Sequence, residues 1–455
     1  MDRCCVLAGQ SWFRRGKPGK PDGDLSVAFV GRAIIAGIVL LVGRVATGAD
    51  EFEQPPINYS LSTPQNRVSE LQEQLQRGSA VLARDDRHGY LADLLAKLKI
   101  PVESQMLVFS KTSLQRDRIT PQTPRAIYFN DEVYVGYCHA GDALEISVAD
   151  PQLGTVFYTL AQSEKAPVLQ RQTQSCLQCH GTVMSDSLPG HLVRSVFVDA
   201  QGLPQLAEGS HRVEHSTPLE HRWGGWYVSG THGAQRHLGN LVLGEGGTPR
   251  TGNSDGQNVT DLRGYFDTAN YLTAHSDLVA LMVLEHQTYV HNLITHANFT
   301  TRQALHYQAE LNRALGEPAG TPVESTTRRI ENAADRLLEG LLFVDEAPLK
   351  GPLAGTTGYA AQFTRSAVRD RQGRSLRDFD LKSRMFKYPC SYLIYTRSFD
   401  ALPPAMKQCL AKKLQDVLAG HGGEKFAHLS AADRQAISEI LRDTKPELVA
   451  PHATP

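Results

Sequence analysis

The run Ser175-Cys176-Leu177-Gln178-Cys179-His180 sets two thiols three residues apart, with an imidazole directly after the second. In this C-x-x-C-H spacing the two thiols can add across the two vinyl groups of a haem while the histidine reaches the iron from one side. A chain with 7 cysteines and 17 histidines carries such a pentapeptide by chance on the order of a few times in a thousand chains. Two other chemistries use Cys-x-x-Cys, a redox dithiol and half of a zinc site. A redox pair opens a helix after a strand in a thioredoxin-like order, whereas the strands expected before Cys176 form a meander. Zinc would need further cysteines, and no second Cys-x-x-Cys exists.

If His180 takes one side of an iron, the group on the other side decides the function: a six-coordinate iron suits electron transfer, and an open site allows ligand or peroxide chemistry. Met184 lies only four residues on, and a chain that extends at most ~3.6 Å per residue cannot pass around a haem edge in that length. His232 is the first candidate for the second metal ligand, because it precedes Gly233 and follows the stretch Trp223-Gly224-Gly225-Trp226-Tyr227. Glycine and tryptophan there suit a backbone that approaches a flat group, and equally a kinked strand that buries its two tryptophans. His237 flanks the same glycine. His191, His211, His215 and His221 fall in segments that read as exposed loops. His286 and His291 lie on a helix with Val279, Met282, Val283, Val290 and Leu293, where a histidine is a hydrogen-bonded core residue or lines a pocket. Arg125, Arg194 and Arg222 have the charge to meet haem propionates and fit equally as surface residues.

The elements that must position these residues fall into two groups. From Thr63 to about Leu98 apolar residues recur at helical spacing, and Pro101 closes the segment. From Met106 the period becomes two, with strands expected at Met106–Phe109, Ala126–Phe129, Val133–Val135, Leu144–Val148 and Val156–Tyr158, joined by turns at Asn130-Asp131, Ala140-Gly141-Asp142 and Asp150-Pro151. A further hairpin is expected from Val193 to Val198 with its turn at Asp199–Gly202. Residues 247–257 read as a surface loop. Helices are expected over Ser276–Phe299, Thr301–Leu315 and Ser325–Phe343, then from Pro403-Pro404 to Gly420, and from the cap Ser430 to Asp443. The expected class is α+β, an antiparallel strand meander around the haem motif followed by a mainly helical C-terminal region. The regions are 1–49 as a signal peptide, 50–246 as a mixed haem-bearing part and 258–450 as a helical part.

Arg14, Arg15, Lys17 and Lys20 precede the apolar run Ala33–Gly43 and the small residues Thr47-Gly48-Ala49, the order of a signal peptide cleaved near Ala49. The apolar run is shorter than the ~20 residues of a membrane helix, so no stable span is expected after cleavage. Cys4 and Cys5 leave with this leader, and five cysteines remain. With 47 basic against 48 acidic side chains the balance argues against nucleic acid as the main partner.

The motif at Cys176, Cys179 and His180, together with the leader, resembles the c-type cytochromes, and the whole chain is similar to large cytochrome c-domain proteins of bacterial periplasms. It departs from the small cytochromes in its sheet-like flanks and in lacking a distal methionine in a proline-containing loop downstream. The resemblance implies a periplasmic or otherwise exported protein with one covalent haem c, its iron bound by His180, that transfers electrons to a redox partner protein. Two rivals share the same motif, a peroxidase-like haem oxidoreductase and a haem-based sensor of a small ligand.

Overall fold

Alternation of apolar and polar residues makes the centre of the molecule a sheet. In a computed structural model that describes residues 48–163, 167–244 and 255–450, the strands are β1 (Met106–Val108), β2 (Arg125–Phe129), β3 (Val133–Tyr137), β4 (Ala143–Asp150), β5 (Gly154–Ala161) and β6 (Leu169–Gln172). They pair as the expected antiparallel meander, and the order β6-β5-β4-β3-β2-β1 is completed by a late strand, β9 (Trp226–Tyr227), against β1. Between them in sequence, β7 (Arg194–Val196) and β8 (Ser210–Arg212) form a separate two-stranded ribbon. All but the last two residues of the expected signal peptide, and most of the 247–257 loop, lie outside the described residues.

Period two gives the sheet two distinct faces. Leu144, Ile146 and Val148 on β4 and Val156, Tyr158 and Leu160 on β5 share a core with Leu71 of α1 (Arg67–Gln76) and Leu91, Leu94, Leu95 and Leu98 of α2 (Leu91–Leu98). The segment expected to be helical from Thr63 to Leu98 is thus two helices. Asn66 begins the first with a capping box, and the left-handed Gly78 and Gly89 lie in the stretch between.

The other face meets the longest element. After the turn α3 (Leu177–His180), the chain forms α4 (Leu278–Leu315), 38 residues capped by Asp277 at its start and by the left-handed Gly316 at its end. The sequence suggested two helices divided near Thr300. They are one, because no Gly or Pro interrupts the run and the Thr301 hydroxyl bonds back to the Ala297 carbonyl at 2.7 Å instead of competing for the backbone. Almost every residue of α4 from Leu278 to Phe299 is buried, as expected for a helix at the centre of a molecule. Its polar residues there must therefore find partners. Phe129 and Tyr134 of the sheet, α4, and α5 (Glu324–Leu341) share a second core, together with three later helices, α6 (Tyr359–Arg365), α8 (Pro404–Asp416) and α9 (Ala431–Thr444). A short turn, α7 (Arg397–Asp400), precedes α8. The two regions expected on either side of the 247–257 loop belong to one unit that runs from Ala46 to Pro455. No helix of the described residues is long and apolar enough to cross a membrane.

Candidate functional site

Strand β6 runs directly into the Cys176–His180 turn, and one helical turn sets the three side chains. The His180 N–H bonds to the Cys176 carbonyl at 2.9 Å and that of Gly181 to the Leu177 carbonyl at 2.9 Å. Cys176 is half-buried, Cys179 is exposed, and neither forms a disulfide. Burial, reinforced by the nearby Glu145 carboxylate, pushes the Cys176 thiol up to about 11. A redox dithiol depends on the opposite shift, a depressed pKa that supplies thiolate. Among the described residues no three His, Cys, Asp or Glu side chains are grouped to share a metal ion.

His180 stands over Phe157 of β5, with ring centroids 5.0 Å apart. Its Nδ1 lies 3.0 Å from the Gly190 carbonyl. A carbonyl only accepts, so Nδ1 carries the proton and Nε2 keeps a lone pair. No described residue bonds to Nε2, and this nitrogen is not sealed from solvent. Burial lowers the ring's pKa below the usual histidine value, against the pull of the Gly190 bond, so the neutral, metal-binding form is favoured.

The loop from 180 to 190 is closed at its neck, because the Gly190 N–H also bonds back to the His180 carbonyl at 2.9 Å. From α4, Asn292 accepts the His191 N–H at 2.9 Å and donates to the His191 carbonyl at 2.8 Å. A Cβ on Gly190 would come within 2.7 Å of Asn292 Oδ1. We expect Gly190→Ala to destabilise the fold by about 1–3 kcal/mol through this overpacking. Urea unfolding measures it, and a wild-type midpoint would refute the close fit.

Beside this loop the sheet face is polar. The Arg125 guanidinium on β2 reaches Glu145 on β4 at 2.8 Å, crossing Gly136 on the strand between. A Cβ on Gly136 would meet that guanidinium at 2.3 Å. Ser147 and Thr155 hold the two ring nitrogens of His191, each at 3.1 Å.

Of the other residues the sequence singled out, His232 is not brought to His180. Ser229 is joined to Leu278 at the start of α4 by a 3.0 Å backbone bond, whereas the His180 loop is held at Asn292. Fourteen residues separate those two points on the helix, about 21 Å at 1.5 Å per residue. His232 Nε2 accepts the Asn258 N–H at 3.0 Å, and its buried Nδ1 has no partner among the described residues. His237 is buried beside it, with ring centroids 4.8 Å apart.

The loop histidines divide. His211 and His221 are exposed, while His191 and His215 are buried. His215 Nε2 faces the Val344 carbonyl at 3.2 Å and must donate, so its Nδ1 accepts from His286 Nδ1 at 3.1 Å, and His286 Nε2 accepts from the Ser391 hydroxyl at 2.8 Å. His286 is thus a satisfied core residue. His291 Nε2 donates to the Asp131 carbonyl at 2.8 Å, and its buried Nδ1 has no partner.

Among the arginines, Arg222 is buried against Glu285 at 2.8 Å, and Arg194 bonds to Ser210 Oγ at 2.7 Å. The glycine–tryptophan stretch serves packing. Trp223 is fully buried with its indole N–H on Glu285, and the Trp226 indole N–H donates to the Arg194 carbonyl. Gly224 passes so close to Val196 that a Cβ would lie 3.0 Å from its backbone. The close approach is to another strand. Asn292 and Gly190 carried no signal in the sequence, since both roles depend on contacts between distant segments. No protein-family model, curated protein or solved structure matches this chain.

Proposed function

We propose that this chain is an exported c-type haem protein that carries one haem c through Cys176 and Cys179, with His180 as an iron ligand, and transfers electrons to a redox partner protein. The observation that carries the reading is the His180 ring, whose Nδ1–H is committed to Gly190 and whose Nε2 is left to bind a metal. The residues fit the group: two free thiols, one half-buried and one exposed, and a neutral imidazole share one turn. Each thiol would add its S–H across a vinyl C=C of the haem, sulfur taking one carbon and hydrogen the other, a step that needs no oxidant. The haem supplies a one-electron Fe(III)/Fe(II) couple. The protein's part is to hold the ligand nitrogen, shield one side with Phe157 and place the Arg125–Glu145 ion pair near the Cys176 attachment point.

The test is an absorption spectrum of protein matured in a host that assembles cytochromes c, followed by a pyridine haemochrome after denaturation. The expected result is one thioether-linked haem per chain, reduced to a single thioether in Cys176→Ala or Cys179→Ala and to none in the double variant. No covalent haem in the wild type sinks the reading.

A second reading, an open iron that binds a small ligand or reacts with peroxide, is favoured by one observation. His191, which follows the Gly190 anchor, has both ring nitrogens engaged by hydroxyls, and His232 lies at the other end of the buried helix. High-spin bands that shift on adding carbon monoxide support this second reading, and six-coordinate low-spin bands indifferent to it support electron transfer.

A further inference from the structure

The His180 imidazole is held by a chain of contacts that begins on α4. We infer that Asn292 is a positioning residue for His180, setting the tautomer and donor strength of the ligand nitrogen through the 190–191 backbone; this rests on the proposed haem site. Asn292 is only 1% exposed, and its amide spans both backbone groups of one residue, accepting from His191 N–H at 2.9 Å and donating to His191 C=O at 2.8 Å. Such a two-point clamp fixes the orientation of the adjoining peptide as well as its place. That peptide carries the Gly190 carbonyl, which accepts the His180 Nδ1–H at 3.0 Å. Behind Asn292 stands the longest helix among the described residues, buried almost throughout from Leu278 to Phe299, and a site braced by a packed helix holds its geometry better than one on a free loop.

Two further contacts fit the role. The Pro189 carbonyl accepts the Thr155 N–H at 2.9 Å, tying the same loop to β5. Gly190 has no side chain at the point where a Cβ would strike the Asn292 amide. The loop end is thus gripped between sheet and helix with its carbonyl aimed at the imidazole.

A hydrogen bond from Nδ1–H to a carbonyl increases the basicity of Nε2 and so favours the ferric iron. Loosening the clamp weakens that bond, and the reduction potential then rises. The variants are Asn292→Leu, which keeps the branched shape and removes both bonds, and Asn292→Ser, which cannot span both groups and covers the case in which the leucine variant fails to fold. The control is Asn298→Leu, on the same helix and 3% exposed, whose amide bonds to Pro151 and Ala401 at 3.3 and 3.4 Å instead.

In the haem-free protein, ¹⁵N shifts of the His180 ring should report an Nδ1–H tautomer in the wild type and in Asn298→Leu. Both Asn292 variants should move toward the Nε2–H form. In the matured protein the same two variants should show a raised reduction potential, while Asn298→Leu keeps the wild-type value. Asn292 variants with wild-type His180 shifts overturn the inference. If no form of the chain takes covalent haem, the proposed function fails, while the ring shifts still decide the role of Asn292.

Discussion

Replacing Arg222 by methionine is expected to destabilise the fold by about 3–5 kcal/mol, the usual cost of leaving a buried charge without its partner. Arg222 is spent entirely inside the protein. Its Nη1 holds Glu285 at 2.8 Å, its Nη2 the His215 carbonyl at 2.9 Å and its Nε the Thr217 carbonyl at 2.7 Å. Glu285 is fully buried, and burial raises its pKa to about 7 even against the pull of Arg222 and of the Trp223 indole. Without the guanidinium the carboxylate keeps only the Trp223 N–H. The deficit should shrink as pH falls toward 7 from above, where the variant's unpaired Glu285 already holds a proton that the wild type lacks, and should level off below 7, where both carry it. Arg222→Met combined with Glu285→Leu should cost less than Arg222→Met alone, since it removes the orphaned carboxylate together with its partner. Urea unfolding followed by tryptophan fluorescence measures both. A loss under about 1 kcal/mol for the single variant, within the range of exposed ion pairs, contradicts the buried geometry.

The second large effect is steep acid unfolding of the chain. Burial depresses the pKa of five core histidines: His215 and His291 to about 4, His237 to about 3, and His191 and His286 well below the ordinary 6.5. Each contributes stability that is whole above pH 6.5 and is lost as pH falls through 6.5 toward the folded value. Glu285 and Glu346 act in the opposite sense. Their pKa values are raised to about 7, so the folded chain holds their protons where the unfolded chain has released them. Near pH 5.5 the unfolded chain therefore binds about two to three more protons than the folded one, a slope of roughly 3–4 kcal/mol per pH unit. The urea midpoint should drop sharply between pH 6.5 and 5, and the transition should reach zero denaturant above pH 4. Replacing His237 by glutamine, where the variant folds, should flatten the slope by about one proton. A midpoint unchanged between pH 7 and 5 rules out the buried neutral histidines.

How much was legible in the sequence follows from the range of each interaction. The meander and its turns, the Pro404 helix start and the Ser430 capping box depend on residues a few positions apart, and the sequence-based expectation matches them closely. The break between α1 and α2 lies where Gly78 and Gly89 take left-handed conformations, a signal that the helical spacing of the leucines overrode, whereas the fusion of α4 depends on tertiary burial, which decides whether a β-branched pair such as Thr300-Thr301 ends a helix. The thiols and His180 were legible because one turn holds all three. His232 was chosen from its neighbouring glycine and tryptophans, whose actual work is to let the stretch beside β9 pass close to β7. Nothing near Asn292 in sequence marks it as the support of a histidine in another segment.

That separation has a consequence for how the site is made. Asn292 follows the backbone it clamps by 101 residues. At a synthesis rate of roughly 5–20 residues per second the two segments are born about 5–20 s apart. In that interval the turn that carries the two thiols and the imidazole lacks its support from α4. Only when the late helix is in place does the loop acquire its brace, so the peptide that accepts the His180 Nδ1–H is fixed after the turn that carries the histidine.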